Sequence, residues 1–352
     1  MLKVGSDFSG VGAFNQALLR LGKPFNEVFA CDMDKYARQT FIHNYGEPEY
    51  YPTNVYNREI PKDSLDIYMT SPPCQAFSLA GKRLGKDDKR GILFFNSYEF
   101  IQVNKPRFFI FENVKGLLSD DNGNTFNEWV NMLGGKSVNG LPVLFPYEDK
   151  EHGVPQNRER VFLIGIRDDS DNRFQFPEPE FLHKKLIDLL EKNVDNKYFV
   201  TELKIEYLLR SEGTTFNVNA NILNQDLPNE SRTIQSGYWK CGRDAQYIKV
   251  KSATARGYEE ATEGDSIYLA RPGSETRRGR VGKQVAQTLE TGCQQGVLND
   301  FRIRRLTPRE CFRLMDFPDT FTWTVSDSQA YKQAGNSIVV NVLYKILKNL
   351  PL

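Results

Sequence analysis

Short apolar runs alternate with amphipathic stretches over the first third of the chain. Leu2–Val4, Val28–Cys31, Ile67–Met69 and Phe108–Phe111 are brief and rich in branched and aromatic residues, which predicts strands. Between them, Ala13–Leu21 and Lys35–Tyr45 space their apolar residues as helices do, and Phe95–Val103 predicts a third helix ending before Pro106. Strands that alternate with helices assemble into a parallel sheet covered on both faces. The expected fold class is therefore α/β, a doubly wound, mostly parallel sheet. Arg160–Arg167, RVFLIGIR, predicts one more strand.

The pattern then changes. From about Asp168 to Arg304 the alternation fades into polar turn residues and scattered glycines, so 1–167 is expected to form a catalytic and cofactor-binding domain and 168–304 a second, irregular one. Within it, Thr233–Gly237 and Thr288–Gly292 share the pattern T-[IL]-[QE]-[ST]-G, too short to establish a repeat. Over Asn336–Leu350, apolar Ile338, Val339, Val342, Leu343, Ile346, Leu347 and Leu350 recur at helical spacing. The segment 305–352 should thus return to the first domain, leaving the second as an insertion.

Composition narrows the class. With 352 residues and 39% hydrophobic content the chain can bury a substantial core. No stretch approaches the roughly 18 consecutive apolar residues of a membrane span, and MLKVGSDFSG has no basic segment followed by an apolar run, so the expected compartment is cytoplasmic. Five cysteines (Cys31, Cys74, Cys241, Cys293, Cys311), odd in number and never in a C-x-x-C pair, indicate free thiols and no zinc site or other metal. A net charge of +1 does not suit a protein held on nucleic acid by charge alone, although basic residues crowd locally. Lys82, Arg83, Lys86, Lys89 and Arg90 form one group; Arg271, Arg277, Arg278, Arg280 and Lys283 form another. Taken singly, either run reads as solvated loop charge.

Candidate chemistry sits at the predicted strand ends. Asp7-Phe-Ser-Gly-Val-Gly-Ala13 follows a strand and opens a helix, so Gly10 and Gly12 let backbone approach a ligand at a helix amino terminus. Asp32 ends the next strand about 20 residues on, where doubly wound folds place a carboxylate for ribose hydroxyls. Phe8 stands where an aromatic can contact an adenine. These features fit a nucleotide-like cofactor without separating NAD from S-adenosylmethionine. Cys74, after the stiff Pro72-Pro73 pair, is either buried filler or a sulfur held for attack. Glu112 follows an apolar strand and should be hard to ionise, as a proton donor must be, unless it caps a helix or pairs with a cation. Arg158 and Arg160 alternate into a strand and share a face, which suits a phosphate and a carbonyl oxygen, or an ion-pair network around Glu159.

In this order the residues resemble the DNA (cytosine-5) methyltransferases of bacterial and phage type. The similarity runs through DFSGVGAF (7–14), SPPCQAFSLAGKR (71–83), RGILFF (90–95), FENVKGL (111–117), HGVPQNRERVFLIGIR (152–167), RRLTPRECFRLMDFPD (304–319) and QAGNSIVVNV (333–342). The resemblance implies a Rossmann-like, S-adenosylmethionine-dependent methyltransferase fold with 168–304 as target-recognition domain. It implies Cys74 as nucleophile, Glu112 as the group that contacts and protonates cytosine, and Arg158 and Arg160 as holders of the base and its phosphate. Phe8, Gly10, Gly12, Asp32, Asn54, Pro73, Leu93 and Asn336 would line the S-adenosylmethionine pocket. The implied partner is double-stranded DNA, with base flipping, in a monomer; a cognate restriction endonuclease would be a separate chain. The alternatives are the tRNA-methylating branch of the family and a DNA-binding homologue without turnover. An oxidoreductase would leave the cysteine, the glutamate and the arginines without a task.

Three departures set expectations. Ser6 stands where the family usually carries an acid, with Asp7 one place later. Asn54 stands where an acid commonly receives the adenine amino group, and its amide oxygen can still accept. The stretch between Trp129 and His152 lacks a clear apolar strand, so none is expected beneath the Gln-Arg motif.

Overall fold

The computed structural model describes residues 1–73, 92–133, 145–148, 152–167, 170, 173–201, 208, 247–271, 274, 276–300 and 302–352. The chain runs β1 (Leu2–Asp7), α1 (Ala13–Leu21), β2 (Phe25–Cys31), α2 (Lys35–Tyr45), β3 (Ile67–Thr70), α3 (Ile92–Asn104), β4 (Phe108–Val114), α4 (Asn124–Met132), β5 (Phe145–Glu148), β6 (Gln156–Asn157) and β7 (Glu159–Ile166). The sheet order is β2-β1-β3-β4-β7-β5, parallel from β2 to β4 and antiparallel at β7 and β5. The chain leaves β1 toward β2 and returns on the other side to β3. The crevice outside the carboxyl ends of β1 and β3 is therefore the switch point where doubly wound sheets bind ligands.

β4 shows why this sheet needs helices on both faces. Phe108 and Ile110 point into a core shared with α1, while Phe109 and Phe111 point into an aromatic one with Phe94, Phe100 and Trp129. The Phe94 and Trp129 rings stack with centroids 4.0 Å apart.

Two expectations are corrected. A strand does precede the Gln-Arg motif: β5 pairs antiparallel with β7, from Phe145 opposite Phe162 to Glu148 opposite Glu159. It was hidden because an edge strand of four residues needs neither an apolar run nor a free amide at Pro146. The carboxyl-terminal helix does not begin at Asn336. That residue ends a separate helix, and an extended link through Ser337 (φ −72°, ψ 162°) and Val339 precedes the next one.

The inserted region carries β8 (Ile248–Lys251), β9 (Tyr258–Ala261), β10 (Ser266–Tyr268), β11 (Val281–Gly282), β12 (Ala286–Gln287), β13 (Gln295–Asn299) and β14 (Arg302–Arg305). β11-β10-β13-β14 form an antiparallel sheet around Ile248, Val250, Ile267, Leu298 and Ile303. β12 pairs with β6, and Leu186, Leu289 and Val297 join the core of the first domain, so the two regions share packing. The basic run here is only partly solvated. Arg280 is fully buried, donating to the Tyr268 and Ala270 carbonyls at 3.1 Å, and Arg277 lies 3.6 Å from the Tyr268 ring centroid. The other basic run, 82–90, lies outside the described residues, as does Thr233–Gly237.

α5 (Pro308–Leu314), α6 (Asp327–Asn336) and α7 (Val340–Asn349) then return to the first domain. Thr307 and Glu310 form a capping box at the start of α5, and Glu310 also holds buried Arg304 at 2.7 Å. Val342, Leu343, Ile346 and Leu347 of α7 pack into the same core as Ala17 and Leu18 of α1. No helix among the described residues is long and apolar enough to cross a membrane.

His152 opens the Gln-Arg motif and is 2% exposed. Burial, with Lys345 nearby and Glu180 only partly opposing, lowers its pKa to about 4. Because the unfolded imidazole titrates higher, it binds protons first as pH falls, so the His152 contribution to stability should drop between about pH 6.5 and pH 4, by roughly 2–3 kcal/mol. Thermal unfolding of wild type and His152→Asn across that range checks this. Wild type should lose stability relative to the variant by that amount as pH falls.

Candidate active site

A cavity of about 820 Å³ opens at the switch point. Its size is that of sites for drug-sized and cofactor-sized ligands. Phe8, Gly10, Asp32, Asn54, Pro73, Leu93, Glu112, Arg158, Arg160 and Asn336 all line it. Residues that the sequence scatters over more than 300 positions thus share one space.

The loop after β1 is held by unusual backbone geometry. Phe8 has φ 58°, the left-handed region, and Gly10 has φ 54°. The Gly10 amide donates to Asp32 Oδ2 at 2.8 Å, and the Asp34 amide donates to Oδ1 at 2.8 Å. Asp32 therefore fixes both loops that frame the cavity while facing it. Burial pushes its carboxyl up against those two amides, which pull it down. Asn54 Oδ1 accepts from the Tyr56 amide at 2.9 Å, leaving one lone pair for a ligand.

Gly12 stands apart from this wall. It caps α1 with φ 85°, and a Cβ there would lie 2.3 Å from the Tyr45 ring. Its smallness serves packing between α1 and α2.

Glu112 lies near the end of β4, buried, with Oε1 3.0 Å from Arg160 Nε. Burial pushes its carboxyl above the usual range, more strongly than Arg160 and Arg158 pull it down. Arg158 faces the same cavity but spends donors on backbone: Nη2 reaches the carbonyls of Ser337 at 2.7 Å and Gly335 at 3.1 Å, and Nη1 that of Leu289 at 3.3 Å. It ties the link after α6 and the inserted region to the sheet. Asn113 Nδ2 donates to the Pro72 carbonyl at 3.3 Å, which draws the Pro72-Pro73 turn toward β4 beside Glu112. Cys74 itself lies outside the described residues, as does Cys241; Cys31, Cys293 and Cys311 are free and buried.

Sequence reasoning missed several lining residues. Met33, Met69, Lys332, Gln333 and Ser337 all border the cavity, and Lys332 Nζ reaches Asp34 Oδ2 at 2.6 Å, joining α6 to the start of α2. The signal for Gln333 was its place at the start of the motif QAGNSIVVNV that also holds Asn336; Lys332 stands one residue before that motif. Met33, an apolar residue between two aspartates and 85% exposed, was a comparable flag.

The fold and the cavity define a Rossmann-like methyltransferase. More particularly, the chain belongs to the family described as C-5 cytosine-specific DNA methylase, which matches residues 2–351. It is 34% identical over 352 residues to the type II methyltransferase M.HhaI of Haemophilus parahaemolyticus, covering 97% of this chain and 92% of that one. It is 33% identical over 431 residues to the orphan methyltransferase M.SPRI of Bacillus phage SPR, covering 99% and 97%. Among solved structures, the S. pombe Dnmt2 methyltransferase is similar with a TM-score of 0.66 at 19% identity over the whole of both chains, a likeness of fold.

Proposed function

We propose that the chain transfers a methyl group from S-adenosylmethionine to C5 of a cytosine flipped out of duplex DNA at a short specific sequence, through a covalent bond between Cys74 and C6. One observation carries the reading: Glu112, buried so that its carboxyl is harder to ionise and paired with Arg160, shares a single cavity with Asp32 and Phe8. A cofactor end and a proton-transfer end in one space are what group transfer requires.

The cofactor, when bound, supplies an electrophilic sulfonium methyl group. The donor set fits it: Phe8 offers an aromatic face, Asp32 a carboxylate for ribose hydroxyls, and Asn54 an amide for an adenine edge. C5 of cytosine is too weak a nucleophile by itself. Addition of the Cys74 thiolate at C6, with Glu112 giving a proton to N3, turns the ring into an enamine whose C5 attacks the methyl carbon. S-adenosylhomocysteine is the leaving group; loss of the C5 proton to solvent then expels the thiolate, and return of the N3 proton to Glu112 restores the ring and the acid. Arg160 orients Glu112 and keeps a cation beside it; Arg158 holds the Gly335 and Ser337 carbonyls that form the wall next to Asn336. None of this fits inside stacked bases, so the target nucleotide must leave the helix. The region 168–304 is the part that would read the sequence, and a restriction endonuclease partner would be a separate chain.

Incubation of purified protein with unmethylated genomic DNA and S-adenosylmethionine, followed by bisulfite sequencing, tests the reading. Methylated cytosines should fall in one short recurring sequence. Absence of any, with cofactor binding intact, would sink the DNA reading, and methylation of tRNA by the same preparation would redirect it.

A further inference from the structure

Asp7 is an acid at the end of a strand whose other inward positions are apolar or small, and the family resemblance gives it no task. It is 1% exposed, and its carboxylate is gripped by Arg58: Nε lies 2.9 Å from both oxygens and Nη2 2.7 Å from Oδ2. The Tyr68 hydroxyl donates to Oδ2 at 2.5 Å. The guanidinium is buried too; its Nη2 also donates to the Asn96 carbonyl at 3.0 Å, and its plane lies over the Phe100 ring at 4.8 Å.

Stability alone does not account for such a pair. Desolvating two charges costs about what their attraction returns, and apolar residues of similar volume commonly do as well or better. A bidentate fork does fix angle and distance, which apolar packing does not. The three segments it joins all reach the cavity. Asp7 immediately precedes Phe8 with its left-handed backbone; Arg58 lies in the same loop as Thr53, Asn54 and Val55, three residues beyond Val55; Asn96 lies one turn beyond Leu93 on α3.

We infer that Asp7 and Arg58 are positioning residues for the cofactor pocket, a buried clamp that sets Phe8, the Asn54 loop and the start of α3 at the spacing the cofactor needs. The inference rests on reading the cavity as the S-adenosylmethionine site. Asp7 borders the cavity, but both oxygens of its carboxylate are taken by Arg58 and Tyr68, and Arg58 does not line the cavity, so the clamp acts through Phe8 and the loop residues. It also explains how a chain with Ser6 in place of the family's usual acid can tolerate a carboxylate one position later, because that carboxylate is neutralised within the protein.

The test is calorimetric titration of S-adenosylhomocysteine into wild type, Arg58→Lys and the paired variant Asp7→Leu/Arg58→Met, with thermal unfolding of each. The paired variant removes both charges together, so neither is left buried alone. It should unfold within a few degrees of wild type yet bind roughly tenfold or more weakly, with KM for the cofactor rising far more than kcat falls and duplex affinity unchanged. Arg58→Lys keeps the charge without the fork and should fall between the two. Should the paired variant not fold, the lysine variant decides alone: affinity within twofold of wild type would overturn the clamp. So would a folded paired variant with wild-type affinity, which would leave the pair a packing feature only. Wild-type protein that binds no S-adenosylhomocysteine would overturn the reading of the cavity, and the clamp with it.

Discussion

Cys74→Ala should reduce methyl transfer by about 10⁴-fold or more, the scale seen when a covalent nucleophile is removed, while S-adenosylhomocysteine still binds. The chemistry dictates the size. Without addition at C6, C5 never becomes an enamine, and no arrangement of Glu112, Arg158 and Arg160 replaces that step. Cofactor binding should not depend on the sulfur, since Phe8, Asp32 and Asn54 line the cavity with donors and an aromatic face of their own. A duplex with 5-fluorocytosine at the target position offers a direct readout: it has no C5 proton to lose, so wild type should be trapped as a denaturant-resistant adduct. The alanine variant should form none. Methylation by that variant at the wild-type rate would remove the covalent mechanism altogether.

How much of this was legible beforehand depended on what kind of signal each feature leaves. α1 and α2 end where their periodicity ends, at Leu21 and Tyr45, because amphipathic spacing with Gly22 and Gly46 behind it determines them locally. β4 was legible as a strand but ran three residues further than its apolar run, since Glu112 and Asn113 continue the pairing with Phe162 and Val161. β5 left no local trace, because antiparallel pairing to β7 at a sheet edge makes it a strand, and pairing is not local. The same distinction separates the site residues. Asp32, Glu112 and Arg160 announced themselves as charges at strand ends. The partnership of Asp7 with Arg58, 51 positions apart, did not, although an acid inside a buried strand requires a counter-charge somewhere. Gly12 shows a related limit: a glycine in a loop signals close approach, and the sequence alone does not reveal that the Tyr45 ring is one of the groups that approach.

Glu112→Gln should separate catalysis from folding most sharply. The amide keeps the shape of the side chain and an oxygen to accept from Arg160 Nε, but it cannot deliver a proton to N3, so kcat should fall by about 10²–10⁴-fold, the range for loss of a general acid. Stability should move the other way. The folded carboxyl has its pKa raised, chiefly by burial, so the ionised form is less favourable in the protein than in the unfolded chain, even with Arg160 beside it. For a group shifted upward, the contribution to stability is full below the unfolded pKa and is lost as pH rises through the folded one. At pH 7.5 wild type carries that loss, and a neutral glutamine does not. The variant should therefore unfold at a temperature no lower than wild type at pH 7.5, and the difference between the two should narrow as pH falls toward 4.5. The alkaline limb that Glu112 imposes on kcat/KM should vanish with it. A variant with unchanged kcat would take the proton-donor role away from Glu112; a variant that is inactive but markedly less stable would mean that the ion pair with Arg160 outweighs burial, and that the carboxylate is there to hold the strand and not to give up a proton.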